Sequence, residues 1–346
     1  MKKLLTFSAC CILLIACDDQ ELSPTVGADS RNANVSQLDI GPVNQLVWTS
    51  LQVPQMSNYP FNYPEYKNRI ISVNGNVYCM TGSLREVVYK LNNTTKRWEF
   101  FADPHKMYMQ FIGDFEYIWS HGSKFYYGFQ MDYGYSNSVE GLDPMTGEED
   151  EVPDFPGTPV RDFAAVVIGN KGYIMGGQVN GNAINQCWEY DFISRTWTNK
   201  GGLPGGARAG ATAFVLNNKV YFGLGHSYII SGGQPYALYK NDWYSFDPAV
   251  ANGFAAVKAD FPGLRRDYVN KFSINDKFYI GAGQSGDDFW EYNPSNNKWT
   301  RKTDCTAASS GQNNINVFAL GNAGYLVKGS LAEFWRYSNS SIVPVP

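Results

Sequence analysis

The sequence predicts an all-β chain folded as one β-propeller of six blades, and three observations carry that prediction. The composition, 15% aromatic with 34 Gly and 17% charged residues, favours many short strands and tight turns over long amphipathic helices. One strand motif occurs six times (NVYCM, KFYYG, KGYIM, KVYFG, KFYIG, AGYLV), centred on Tyr78, Tyr126, Tyr173, Tyr221, Tyr279 and Tyr325 at spacings of 48, 47, 48, 58 and 46. Downstream comes an aromatic pair two residues apart and then a Trp seven residues on, as in Trp188, Tyr190 and Trp197 or Trp290, Tyr292 and Trp299.

The elements follow in order. Turn pairs such as Asn74-Gly75, Gly169-Asn170, Asn217-Asn218 and Asn275-Asp276 precede the repeated motif with apolar residues on either side, so each copy is the second strand of a hairpin. Turn residues such as Asn293-Pro294-Ser295-Asn296-Asn297 separate the aromatic pair from the Trp, which makes a third strand, a turn and a fourth strand. Four strands in a repeat of about 47 residues is the pattern of a propeller blade. The second repeat departs from it, with no Trp and with Glu140 and Leu142 where its neighbours carry aromatics. The sixth stops early, since its Trp position falls at Pro344, but Gln45-Leu46-Val47-Trp48-Thr49-Ser50-Leu51 has the character of a fourth strand. This N-terminal strand is predicted to complete the last blade and close the ring, leaving no long unpaired edge. The repeated Tyr and Trp are predicted to pack between blades.

These motifs, together with Met175-Gly176-Gly177 after a second strand, resemble the kelch repeat over roughly residues 45 to 340. The resemblance implies a kelch-type six-bladed propeller spanning 45–346. It also implies that ligands are met by one face, where the loops between second and third strands gather with those joining successive blades.

Lys2 and Lys3 precede an apolar run, Leu4 to Ala16, too short to span a bilayer and ordered like a secretory signal. Its end, Leu14-Ile15-Ala16-Cys17, resembles the lipobox of bacterial lipoproteins, which implies a signal peptide over 1–16 and lipid on the Cys17 thiol. Residues 17–44, rich in Asp, Ser, Asn, Gly and Pro, read as a flexible tether to a membrane. Asp18-Asp19-Gln20-Glu21 resembles the export signal of surface lipoproteins in Bacteroidota, although Asp after the lipidated Cys marks inner-membrane retention in enteric bacteria. The expected place is therefore the cell envelope, at the outer membrane, with its face left open.

A formal net charge of −4 without a basic stripe argues against nucleic acid. With the signal removed and Cys17 acylated, Cys79, Cys187 and Cys305 remain, none in a CxxC spacing, and they read as small buried apolar residues. His105, His121 and His226 lie in no metal-ligand spacing, and galactose oxidases, which share the kelch architecture, need two His and two Tyr around copper; no matching set is found. Neither a metal nor a cofactor is expected.

The candidate ligand-binding residues fall in three groups. Arg161, Arg208 and Arg266 recur ten or eleven residues before the second-strand motif of blades three to five, at the start of each inner strand, as in kelch domains that bind ligands in the central mouth. At the same place Asp114 stands in blade two. Two loops carry aromatics, one with Tyr133 and Tyr135 and one, accounting for the 58-residue spacing, with His226, Tyr228 and Tyr236. Guanidinium groups hold carboxylates and aromatic faces stack on sugars, so a glycan or protein partner is expected, bound without catalysis. Some secreted kelch proteins are sialic acid mutarotases, which makes that activity an alternative; Asp114, Glu140, Asp267 and Asp288 are available carboxylates. A scaffold for envelope proteins is a third reading and would need an exposed apolar patch.

Overall fold

The structure is a computed structural model that describes residues 46–51, 69–81, 87–95, 98–102, 116–129, 136–231, 234–250, 256–283, 286–304, 315–328 and 333–339. Cys17, Asp114, Tyr133, Tyr135 and Cys305, with the predicted signal and tether, lie outside the described residues.

Six four-stranded antiparallel sheets follow one another along the chain. Blades one to five run consecutively: 69–102, 116–152, 164–201, 212–257 and 270–302. Blade six takes three strands from 315–339 and its fourth from Leu46–Leu51, which pairs antiparallel with Glu333–Asn339, so the ring closes as the sequence predicts. Blade two forms all four strands despite its missing Trp, with Leu142 buried in place of an aromatic.

The hairpins rest on the predicted turn chemistry. Asn74 and Gly75, Asn217 and Asn218, and Asn275 and Asp276 all have positive φ, the backbone of a type I′ turn whose twist matches the flanking strands. The turn between third and fourth strands is held by a side chain: the Oδ1 of Asn92, Asp143 and Asp191 each accepts two backbone N–H bonds at 2.8–3.2 Å.

Among the described residues each of the six blade interfaces has its own apolar cluster. Tyr78, Tyr173 and Tyr279, from the repeated motif, are at most 1% exposed, and each fully buried aromatic contributes about 1.5–3 kcal/mol. The fourth-strand Trp197 and Trp299 donate their indole N–H to the carbonyls of Pro153 and Ala259 in the connection from the preceding blade, at 2.8 and 2.9 Å. Gly172 is required by such contact, because a Cβ there would lie 2.9 Å from the Trp119 ring. Cys79 and Cys187 are free and buried, and burial pushes both thiols up to about 12.

Blades three and five share a buried carboxylate. Glu189 accepts a 2.6 Å hydrogen bond from the Tyr173 hydroxyl and lies 2.5 Å from Lys171 Nζ and 3.6 Å from Lys200 Nζ. Glu291 repeats this with Tyr279, Lys277 and Lys302 at 2.9, 2.9 and 3.0 Å. Burial pushes both carboxyls up, but these donors outweigh it and hold them below the ordinary glutamate value.

Candidate functional site

The heads of the inner strands of blades three, four and five are joined by backbone bonds that define which residues are equivalent. Gly210 N–H donates to Asp162 O at 2.8 Å and Tyr268 N–H to Gly210 O at 3.0 Å, and all three residues have positive φ. Counting back from Asp162, Gly210 and Tyr268 puts Val160 level with Arg208 and Arg266, and Arg161 level with Ala209 and Asp267. Side chains alternate along an extended chain, so one residue of offset sends a side chain the opposite way.

The three arginines predicted to act together therefore do not. Arg208 is 0% exposed. Its Nη1 and Nη2 donate to the two carboxylate oxygens of Asp242 at 2.9 and 2.8 Å, and further bonds reach the carbonyls of Leu224 and Pro204, each at 3.2 Å. Arg266 pairs likewise with Asp288, at 2.6 and 2.8 Å, with its guanidinium 5.4 Å above the Phe261 ring. Both are buried against these internal partners, at 0% and 1% exposure, so neither guanidinium is open to a ligand in the mouth. In blade three Val160, 2% exposed, fills this internal place, and the position of Asp242 and Asp288 is taken by neutral Gln186. Arg161 turns outward with 41% of its side chain exposed; its nearest carboxylate oxygen among the described residues is Asp162 Oδ2, at 3.8 Å.

Around Arg161 the mouth gathers a polar cluster. After the second strands of blades three and four the chain forms two β-ribbons, Gln178–Val179 with Asn182–Ala183 and His226–Ser231 with Gln234–Tyr239. Their first residues bridge to the inner-strand heads, Gln178 to Arg161 and His226 to Ala209. Gln178 Nε2 donates to Asp162 Oδ2. The Tyr268 hydroxyl also bonds Asp162; burial, and then the charge of Asp162, raises its pKa. His226 is 4% exposed, with Nδ1 2.7 Å from Asp267 Oδ2 of the next blade. Burial raises the Asp267 pKa, and the attraction of His226 offsets only part of that. Three tyrosine rings surround His226, Tyr228 at 5.0 Å, Tyr239 at 5.9 Å and Tyr268 at 6.2 Å between centroids, and each keeps more than two fifths of its surface open.

Tyr228 and Tyr236, candidates from one loop of the sequence, stand on opposite faces of the longer ribbon. Directly paired residues share a face, and Tyr228 pairs with Ala237 while Tyr236 pairs with Ile229. Tyr236, Ile229 and Leu238 form an exposed apolar patch on the face away from His226. Of the candidate carboxylates, Asp288 is held by Arg266, Glu140 by the Tyr127 hydroxyl at 2.9 Å, and Asp267 alone joins the cluster. Sequence reasoning missed Asp162, Gln178 and Tyr268. The signal for the offset was present: Arg161 lies 12 residues before Tyr173, whereas Arg208 and Arg266 lie 13 before Tyr221 and Tyr279.

With this arrangement in view, comparison with known proteins finds the Kelch motif at residues 159–204, from the head of the blade-three inner strand through its fourth strand. The fold is a kelch-type six-bladed β-propeller. The N-acetylneuraminate epimerase of Pasteurella multocida (strain Pm70) is 30% identical over 143 residues, 39% of this chain and 34% of that protein. The match thus spans about a third of the length of that relative. A solved propeller chain, described as the structure of YjhT, is 16% identical, covers 59% of this chain and 69% of its own, and superposes with a TM-score of 0.48.

Proposed function

We propose that the protein is a binding module of the cell envelope, tethered through lipid on Cys17, that holds a glycan at the mouth of blades three to five. The observation that carries this is the arrangement around His226: a buried His226–Asp267 pair under three half-open tyrosine rings, with the outward Arg161 guanidinium nearby. Tyrosine faces supply flat apolar surface for the C–H side of a sugar ring, and Gln178, Asp162 and Asp267 supply partners for its hydroxyls. Arg161 supplies a charged fork for a carboxylate on the ligand. The test is a thermal-shift and calorimetric screen of sialic acids, uronic acids and neutral oligosaccharides, since a ligand of the folded state raises its melting temperature by mass action. Binding of an acidic sugar that is lost in Arg161→Ala supports the reading; no sugar binding across the panel refutes it.

A second reading, sugar mutarotation, is favoured by the stretch shared with the epimerase and by the same His226–Asp267 pair. Ring opening needs a base for the anomeric hydroxyl proton and an acid for the ring oxygen, and a buried imidazole 2.7 Å from a carboxylate offers groups of both kinds. NMR of freshly released sialic acid anomers distinguishes the two: exchange faster than the uncatalysed rate, abolished in His226→Ala, makes the protein an enzyme. Exchange at the uncatalysed rate leaves it a binding module.

A further inference from the structure

The inner strands place two stacked rings of residues around the propeller axis. Taken from the register with the second strands, the first ring is Ile70, Tyr117, Ala165, Ala213, Lys271 and Val317. The ring beside it is Ser72, Ser120, Val167, Val215, Ser273 and Ala319. Residues between these positions, such as Val166, Phe214 and Phe272, are buried between blades, whereas Ala165, Val167, Val215, Ser273, Val317 and Ala319 keep part of their surface open; of the ring residues Ala213 is buried. Residues on the innermost strands that retain open surface line an axial channel.

Both rings are apolar or hydroxylic except at Lys271. Five blades do without a charge at this level, so the scaffold itself does not call for one. Lys271 Nζ donates 2.7 Å to Ala213 O, on the inner strand of blade four, and no carboxylate among the described residues pairs with it. The amine is desolvated, yet the residue keeps part of its surface open, which places it on the channel wall.

We propose that Lys271 is a nucleophilic amine at which a small aldehyde or 2-keto acid entering the channel is captured as an imine. The neutral Nζ attacks the carbonyl carbon, a C–N bond forms, the carbonyl oxygen leaves as water with the two amine protons, and no oxidant or reductant is consumed. Ala213 O orients the amine. Burial supports this chemistry by lowering the Lys271 pKa from 10.5 to about 8, so its neutral form at pH 7 is roughly 300-fold more populated than that of an ordinary lysine. The site is separate from the mouth and does not depend on the glycan reading.

The experiment treats the full-length protein with glyoxylate and cyanoborohydride at pH 7, which reduces an imine to a stable secondary amine, and maps the modified lysines by peptide mass spectrometry. Lys271 is expected to be modified at least about tenfold faster than the mean of the other lysines, and glyoxylate without the reductant to leave no stable mark. Lys271→Arg keeps a donor at this position but no nucleophilic amine; it should remove the preferred label, with a cooperative thermal transition showing that the fold is kept. Labelling of Lys271 no faster than of surface lysines, or only after unfolding in urea, overturns the proposal. Because the probe is not a sugar, this result is independent of whether the mouth binds one.

Discussion

Arg161 and Arg208 stand one residue out of register at the heads of neighbouring inner strands, and that offset separates a mouth residue from a buried strut. Arg208 closes a two-pronged pair with Asp242 and lies 5.8 Å from each of the rings of Phe222 and Tyr244, which stack on each other. Removing it strands a partly buried carboxylate and three backbone carbonyls, those of Pro204, Gly206 and Leu224. Arg208→Ala is therefore expected to cost roughly 3 kcal/mol and lower the melting temperature by several degrees. Arg161→Ala, at a half-exposed side chain, should stay within about 0.5 kcal/mol. Thermal and urea denaturation of the two variants checks the contrast, and equal losses would contradict the assigned offset.

Stability should fall in acid, and the sign follows from the pKa directions. Glu189, Glu291 and Asp288 have folded-state values below ordinary ones: burial pushes them up, but Lys171 and Tyr173, Lys277, Lys302 and Tyr279, and Arg266 and Trp290 outweigh it. Their contribution is full above the unfolded carboxylate range, about 3.9–4.3, and is lost as pH falls through the lower folded values. Asp267 acts oppositely: its raised value gives a contribution present below the unfolded pKa and lost as pH rises through the folded one. Urea midpoints between pH 3 and pH 7 should drop toward the acid end, and Glu189→Gln should flatten the slope while costing about 1–3 kcal/mol at pH 7.

The ring was legible because each blade repeats its turn residues and aromatics in phase, and the buried Tyr78, Tyr173 and Tyr279 stand where the motif put them. The site was legible only in fragments. His226 was found from a long loop, but its partner Asp267 comes from another blade, 41 residues on, and nothing local in the sequence joins them. The arginines misled because spacing alone does not register a one-residue slip, whereas in an extended chain that slip reverses the side chain. Nor does spacing show which face Tyr228 and Tyr236 occupy, since cross-strand pairing, which is not local, decides it.

Ring closure by Leu46–Leu51 makes a prediction about truncation. That strand pairs along its whole length with Glu333–Asn339, from Leu46 opposite Asn339 to Leu51 opposite Phe334. A chain begun at residue 52 exposes the row of backbone donors and acceptors on Glu333–Asn339, a template for pairing with another chain. It should aggregate or lose blade six to limited proteolysis, whereas a chain begun at residue 40 should remain monodisperse on size exclusion. Equal behaviour of the two would mean that the strand is dispensable.

The opposite faces of the longer ribbon set the final test. Tyr228 and Tyr239 lie on the face that covers His226, and Tyr268 completes the enclosure from blade five, whereas Tyr236 projects with Ile229 and Leu238 from the other face. If a sugar sits over His226, Tyr228→Ala and Tyr268→Ala each remove a stacking face worth about 1 kcal/mol, a loss of roughly fivefold in affinity. Tyr236→Ala should change sugar affinity less than about twofold. Tyr228 and Tyr236 are exposed rings, so their removal should leave the melting temperature close to that of the unaltered protein, whereas Tyr268→Ala also removes the bond to Asp162 and should lower it by the cost of about one hydrogen bond. Loss of sugar affinity in Tyr236→Ala but not in Tyr228→Ala would move the ligand to the outer face of the ribbon. There the patch of Tyr236, Ile229 and Leu238, with no charged group on the ribbon strands, is better suited to an apolar protein surface than to a sugar.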